Sequence, residues 1–119
     1  SRLDDPEGAV ADVRSPDEYA GLVEEKNVAR RGHIPGSLNL EWTRTLEDGV
    51  LRPPKTLRAL LEAAGSSPGA ELVSVCRVGS RASVLYFIGR YLGLPTRMYD
   101  GSIAEWSGMG RPMKTGSRP

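Results

Sequence analysis

Short apolar or alternating runs recur along this chain of 119 residues, separated by turns and by stretches with helical periodicity. The runs at 9–13, 38–40, 72–75 and 96–99 have the length and side-chain pattern of strands. Helical stretches lie between most of these runs. Strands that alternate with helices predict an α/β domain with a mainly parallel sheet.

The first predicted helix has a clear start. Ser15 is expected to be its N-cap, Pro16 its first residue, and Glu18 the third position of a capping box. Gly21 follows closely, so this helix is predicted to be short.

The second and third predicted helices differ in their patterning. The second begins at Pro53–Pro54, ends before Gly65, and carries apolar residues on one stripe: Leu57, Leu60, Leu61 and Ala64. The third covers 81–92 and is apolar on most of its surface, which predicts that it is largely buried. Ser102 is predicted to cap a short fourth helix.

The remaining segments predict loops and ends. The charged residues 24–32 predict an exposed loop, and turn signatures follow at 33–37 and 47–49. We expect one domain over residues 1–119, with mobile ends at 1–8 and 108–119.

Composition and charge exclude several classes of function. The net charge of +1 gives no reason to expect nucleic acid or a membrane as a partner. No apolar run approaches the roughly 20 residues that cross a bilayer. The single cysteine allows no internal disulfide and no multi-thiolate metal site, so neither a metal nor another cofactor is predicted. A free thiol favours a reducing compartment, and we expect a cytoplasmic protein.

That cysteine, Cys76, lies in the most informative stretch of the chain. The apolar run from Val73 reaches Cys76, turns at Gly79, and enters the third predicted helix. Backbone N–H groups and the positive end of the helix dipole favour an anion at such a turn. A Cys76 thiolate is one such anion, and stabilised thiolates are reactive. On the residues alone, a lone cysteine after an apolar strand is more often an inert buried thiol.

Other polar residues follow neighbouring strands. Ligands of parallel sheets bind beyond the carboxyl ends of the strands. Cys76, the segment 12–14 and Tyr99–Asp100 all stand at such ends, so we expect them at one edge of the sheet.

Taken together and in order, these segments resemble the rhodanese-domain family. The resemblance is carried by residues 12–19 (DVRSPDEY), 32–39 (GHIPGSLN), 76–81 (CRVGSR) and 99–106 (YDGSIAEW). Trp42 and the turn at 47–49 are most similar to the catalytic half of tandem-domain thiosulfate sulfurtransferases. The resemblance implies a three-layer α/β domain with a central sheet of about four to five strands and helices on both faces.

The resemblance also implies sulfur transfer. A small anionic donor such as thiosulfate would give its outer sulfur to Cys76, and cyanide or a thiol would then accept it from the persulfide. The donor would be bound by the rest of the loop: Arg77, Val78, Gly79, Ser80 and Arg81.

Two further hypotheses remain at this point. Related phosphatases and arsenate reductases use a Cys-x5-Arg loop, whereas Cys76 to Arg81 spans only six residues. A six-residue ring has room for sulfur but crowds a tetrahedral oxyanion, which disfavours both activities. The other hypothesis is a persulfide carrier or regulatory module that receives sulfur from a partner protein.

Four more residues are expected at the supporting edge of the site. His33 is either a base or a structural residue of its turn, and the turn favours the second. Asp12 and Arg14 either touch substrate or, as a pair, brace the edge, which we favour. Trp106 either forms a wall of the pocket or fills the core.

Two features depart from the family pattern. Most rhodanese domains have another strand and helix before the Asp-x-Arg segment, whereas about eight residues precede it here. Either the chain is a fragment, or another domain or protein completes the sheet at this short N-terminal end. In addition, some tandem enzymes have a basic substrate-binding residue where this chain has Glu18.

Overall fold

The computed structural model describes residues 9–25, 28–66, 71–76, 81–99 and 102–119. Its strands and helices, in chain order, are β1 (Ala9–Asp12), α1 (Pro16–Ala20), β2 (Leu38–Asn39), β3 (Leu46–Glu47), β4 (Val50–Leu51), α2 (Pro54–Ala63), β5 (Leu72–Val75), α3 (Ala82–Leu92), β6 (Thr96–Met98) and α4 (Ser102–Gly108). A 3₁₀ turn (Trp42–Thr45) precedes β3.

The central sheet has four strands in the order β2-β1-β5-β6, and all its pairs are parallel. In its middle, Asp12 at the end of β1 is in register with Val75 at the end of β5. Strands β3 and β4 form a separate antiparallel hairpin. The predicted α/β fold with a mainly parallel sheet is therefore confirmed.

Helices cover both faces of this sheet. Alternate residues of β5 point to opposite sides: Leu72 packs in one cluster with α2 and α3, and Val73 packs in another with α4. The α2–α3 cluster includes Leu57, Leu61, Leu85 and Ile88. The predicted three-layer arrangement is confirmed.

The start of α1 is as predicted. The Ser15 hydroxyl accepts the N–H of Glu18 at 3.2 Å, and the Glu18 carboxylate accepts the N–H of Ser15 at 2.9 Å. Pro16 is the first helical residue, and Gly21 ends the helix with a φ of 80°. This capping box fixes the Glu18 side chain at the helix start.

Helix α3 corrects one expectation. It begins one residue later than predicted and ends at the predicted residue, but Phe87 and Tyr91 are 59% and 63% exposed. Only one stripe faces the sheet: Ala82, Leu85, Ile88 and Gly89. On that stripe a Cβ at Gly89 would lie 1.9 Å from Oγ1 of Thr96, so the helix approaches β6 as closely as it does because this position is glycine.

The charged loop corrects a second expectation. Most of its described residues are exposed, but Gly32 is buried and the Glu25 side chain is only 5% exposed. The C-terminal segment packs beside this loop, where His33 and Lys114 exchange two backbone hydrogen bonds of 2.8 Å. A Cβ at Gly32 would lie 2.3 Å from the Lys114 carbonyl oxygen. Mobility of the segment 108–119 stays a prediction, and residues 1–8 lie outside the described part.

Within the described ranges, no helix is both long enough and apolar enough to cross a membrane.

Candidate active site

Cys76 directly follows β5, one of the two central strands of the sheet. Its Sγ accepts a hydrogen bond from the N–H of Ala82, the first residue of α3, at a distance of 3.4 Å. Its carbonyl oxygen accepts the N–H of Ile103 in α4 at 2.9 Å. The sulfur therefore lies at the N-terminus of an 11-residue helix, where the helix dipole stabilises negative charge.

Of the predicted loop residues, Arg81 is the one that the structure describes. Arg77, Val78, Gly79 and Ser80 lie outside the described residues. The Arg81 guanidinium forms a bidentate ion pair with Glu18: Nη1 lies 2.9 Å from Oε1, and Nη2 lies 3.3 Å from Oε2. This pair joins the N-terminus of α1 to that of α3.

The ion pair keeps Glu18 negatively charged. Burial favours the neutral carboxyl, but hydrogen bonds from Arg81 and from the Ser15 N–H outweigh it and lower the pKa of Glu18 to about 2. The hydrogen bonds to Glu18 and its negative charge raise the pKa of Arg81 against the effect of burial, and the Coulomb interaction with Cys76 adds to this. Arg81 is thus electrostatically coupled to both the carboxylate and the sulfur.

We expect this pair to make stability depend on pH in the acid range. Because the pKa of Glu18 is lower in the folded than in the unfolded chain, protonation at low pH favours unfolding. The stabilisation is complete above about pH 5 and is lost as the pH falls towards 2. Allowing for partial exposure, we expect about 1–2 kcal/mol.

Urea unfolding at pH 6 and at pH 3 measures this loss. The wild type should lose more unfolding free energy than Glu18→Gln, whereas Asp17→Asn, an exposed position on the same helix, should behave like the wild type. Equal losses for the wild type and Glu18→Gln would contradict the assignment.

A second network lies at the neighbouring end of β1. The fully buried Arg14 guanidinium binds Asp12 (Nη2–Oδ2 2.7 Å), Glu25 (Nη1–Oε2 2.5 Å) and the Gly32 carbonyl oxygen (2.7 Å). Burial alone would lower the pKa of Arg14, but the two carboxylates raise it. The structure therefore brings Asp12 and Arg14 together as a buried ion pair beside Val75.

Glu25 connects the two networks. Burial raises the pKa of Glu25; the charge of Arg14 opposes this, and the neighbouring Glu18 carboxylate adds to it. Its Oε1 is buried with no hydrogen-bond partner among the described residues. Glu25 was not predicted from the sequence, because its charged surroundings indicated only an exposed loop.

His33 is buried against Tyr19, away from solvent. Its ring is fully buried and stacks on Tyr19 with centroids 3.7 Å apart. Nδ1 lies 2.8 Å from the Tyr19 carbonyl oxygen, to which it can donate. No described contact joins His33 to Cys76.

Trp106 lies on the α4 face of the sheet. It packs with Ile34, Val73, Val75 and Ile103, and its Nε1–H donates to the Pro112 carbonyl oxygen at 2.8 Å. These contacts make it part of the core. Asp100, at the predicted edge, lies outside the described residues.

The described residues contain no cluster of three or more His, Cys, Asp or Glu side chains that could hold a metal ion.

Comparison with known proteins places this architecture in a family. The sequence model of the rhodanese-like domain family matches residues 1–109. The chain belongs to the rhodanese-like domain family.

Curated relatives of this rhodanese-like domain include a thiosulfate sulfurtransferase of Corynebacterium glutamicum, 42% identical over 90% of the chain and 38% of the relative. Another is the sulfur carrier protein TtuD of Thermus thermophilus, 36% identical over 97% of the chain and 44% of the relative. The chain thus spans less than half the length of these relatives.

Solved structures agree with the assignment. A probable thiosulfate sulfurtransferase superposes with a TM-score of 0.74 at 35% identity, over 94% of this chain and 44% of that one. A variant of EanB, in complex with ergothioneine covalently linked with a persulfide cysteine, superposes with a TM-score of 0.86 at 26% identity. The superposition covers 98% of this chain and 30% of the EanB chain.

Proposed function

We propose that this rhodanese-like domain is a sulfurtransferase that moves a sulfane sulfur from thiosulfate or a related anionic donor to a thiophilic acceptor. The observation that carries the proposal is the position of Cys76, whose sulfur accepts the N–H of Ala82 at the N-terminus of α3. Curated relatives named thiosulfate sulfurtransferases support the substrate class.

The reaction proceeds in two displacements at sulfur. The Cys76 thiolate attacks the outer sulfur of thiosulfate, the S–S bond of the donor breaks, and sulfite leaves with its electron pair. Cyanide or a thiolate then attacks the outer sulfur of the persulfide and releases the Cys76 thiolate. The N-terminus of α3 stabilises the negative sulfur both in the Cys76 thiolate and in the Cys76 persulfide.

The loop supplies the donor-binding groups in this proposal. Arg77, Val78, Gly79 and Ser80 are assigned from the sequence, and Arg81 from the sequence and from its place at the start of α3. Asp12 and Arg14 act as bracing residues, and His33 and Trp106 support neighbouring loops. A thiol that must be regenerated in every cycle fits a reducing compartment such as the cytoplasm.

Mass spectrometry of the intact protein tests the proposal. After incubation with millimolar thiosulfate, or in parallel with a thiol persulfide, the chain should gain the mass of one sulfur atom. Cyanide should then remove it. Because Cys76 is the only cysteine, prior alkylation should abolish the gain. Failure of both donors to add sulfur would reject the proposal.

A persulfide carrier is the second candidate, and the sulfur carrier protein TtuD among the relatives favours it. A carrier would take sulfur from a partner protein faster than from thiosulfate. Loading rates from a persulfidated protein and from thiosulfate, measured on the same preparation, distinguish the two candidates.

A further inference from the structure

We propose that Glu18 tunes donor specificity: by pairing Arg81 beside Cys76, it weakens the binding of dianions such as thiosulfate relative to donors with at most one negative charge, such as thiol persulfides. This inference rests on the proposed sulfur transfer and deepens it.

The contacts of Glu18 hold it in place. Both of its oxygens face the Arg81 guanidinium, at 2.9 and 3.3 Å, and Oε1 also accepts the N–H of Ser15. The hydrogen bond from the Ser15 N–H, part of the capping box of α1, holds the carboxylate in the position where it meets Arg81. An incoming anion therefore competes for Arg81 with a preorganised ligand.

The balance of charge around the site points in the same direction. Among the described residues of the two networks, three carboxylates (Asp12, Glu18, Glu25) are joined to two guanidiniums (Arg14, Arg81). These guanidiniums are paired, so these five residues offer no surplus positive charge to a donor. Coulomb energy is proportional to charge, so the attraction to Arg81 that Glu18 cancels is twice as large for a dianion as for a monoanion.

A thiol persulfide meets this environment at lower cost. The Cys76 thiolate attacks the outer sulfur of R–S–S–H, the S–S bond breaks, and R–S⁻ leaves while Cys76 becomes Cys–S–S–H. No additional oxidant or reductant is needed. The leaving thiolate carries one charge, whereas sulfite carries two.

Alkylation of Cys76 measures the local charge without requiring sulfur transfer. Iodoacetamide is neutral and iodoacetate is a monoanion, so the ratio of their rates cancels thiol reactivity and access. In Glu18→Gln this ratio, iodoacetate over iodoacetamide, should rise about threefold, because one negative charge is gone from the partner of Arg81. Glutamine also serves at this position of a capping box, so the helix start is retained.

Asp17→Asn is the matched control. It removes one negative charge from the same turn of α1, but Asp17 is exposed and forms no described ion pair with Arg81. Its alkylation ratio should stay within about 1.5-fold of the wild type, since an exposed charge is strongly screened. Equal ratios in Glu18→Gln and the wild type would overturn the inference.

Donor kinetics provide the second measurement. In Glu18→Gln the KM for thiosulfate should fall about tenfold, the square of the monoanion effect, while the KM for a thiol persulfide should change less than threefold. A fall in kcat for both donors with KM unchanged would assign Glu18 a purely structural role and overturn the inference. A chain that takes sulfur from neither donor would reject the proposed function, while the alkylation ratio would still test the role of Glu18.

Discussion

A Cys76→Ser chain is expected to form thiocyanate from thiosulfate and cyanide at least about a thousandfold more slowly than the wild type. The serine hydroxyl is not ionised at neutral pH and cannot carry a transferable sulfane sulfur. The chain has no other cysteine that could take over the reaction. Thiocyanate release at saturating thiosulfate measures the effect.

The fold should survive this substitution, which makes the result interpretable. A serine Oγ can accept the N–H of Ala82 in place of Sγ, and the site is otherwise unchanged. We therefore expect the urea midpoint of Cys76→Ser to stay close to that of the wild type. Undiminished thiocyanate formation by the folded variant would contradict the role of Cys76.

Replacing Arg14 by methionine is expected to lower the free energy of unfolding by about 3–5 kcal/mol. The substitution removes the partner of two buried carboxylates, Asp12 and Glu25, and leaves the Gly32 carbonyl oxygen without its donor. Methionine fills much of the space. The loss of unfolding free energy therefore comes from buried carboxylates without a counter-charge rather than from a cavity. Urea unfolding at pH 7 gives the value.

Two comparisons make the Arg14 result specific. Arg31→Met breaks an exposed pair with Glu24 (3.6 Å) and should cost less than about 0.5 kcal/mol. The deficit of Arg14→Met should shrink as the pH is lowered, because protonation removes the stranded charges. An unfolding free energy of Arg14→Met within about 1 kcal/mol of the wild type would show that the network does not stabilise the fold.

The features that were predictable from the sequence depend on neighbouring residues. The capping box of α1 involves only positions 15 to 18, and the apolar stripe of α2 repeats within two turns. The place of Cys76 between β5 and α3 follows from one continuous segment. Because the physical cause lies within a few residues in each case, the pattern was sufficient.

The site contacts that were missed join distant residues. Glu18 and Arg81 are 63 positions apart, and no local pattern indicates that a capping carboxylate will also face the loop arginine. Glu25 lies in a run of charges typical of a solvated loop, yet it folds back onto Arg14. These pairings depend on how the sheet brings the ends of β1 and β5 together.

The burial of α3 was overestimated for a related reason. Its run of apolar and aromatic residues shows no polar face, but a helix on a sheet has only one side to bury. Tyr86, Phe87 and Tyr91 fall on the other side. Hydrophobicity alone did not distinguish a helix enclosed on all sides from one with an exposed aromatic surface.

The strand order has a consequence for how the chain acquires its structure. Strand β1 lies between β2 and β5, and Ala9 pairs with Leu72, about sixty residues later. On the ribosome, β1 therefore emerges long before its central partner, and the parallel pair cannot close until β5 has been synthesised. Such distant pairing slows folding. The cysteine itself, one residue beyond β5, leaves the ribosome as the central β1–β5 pair first becomes able to form.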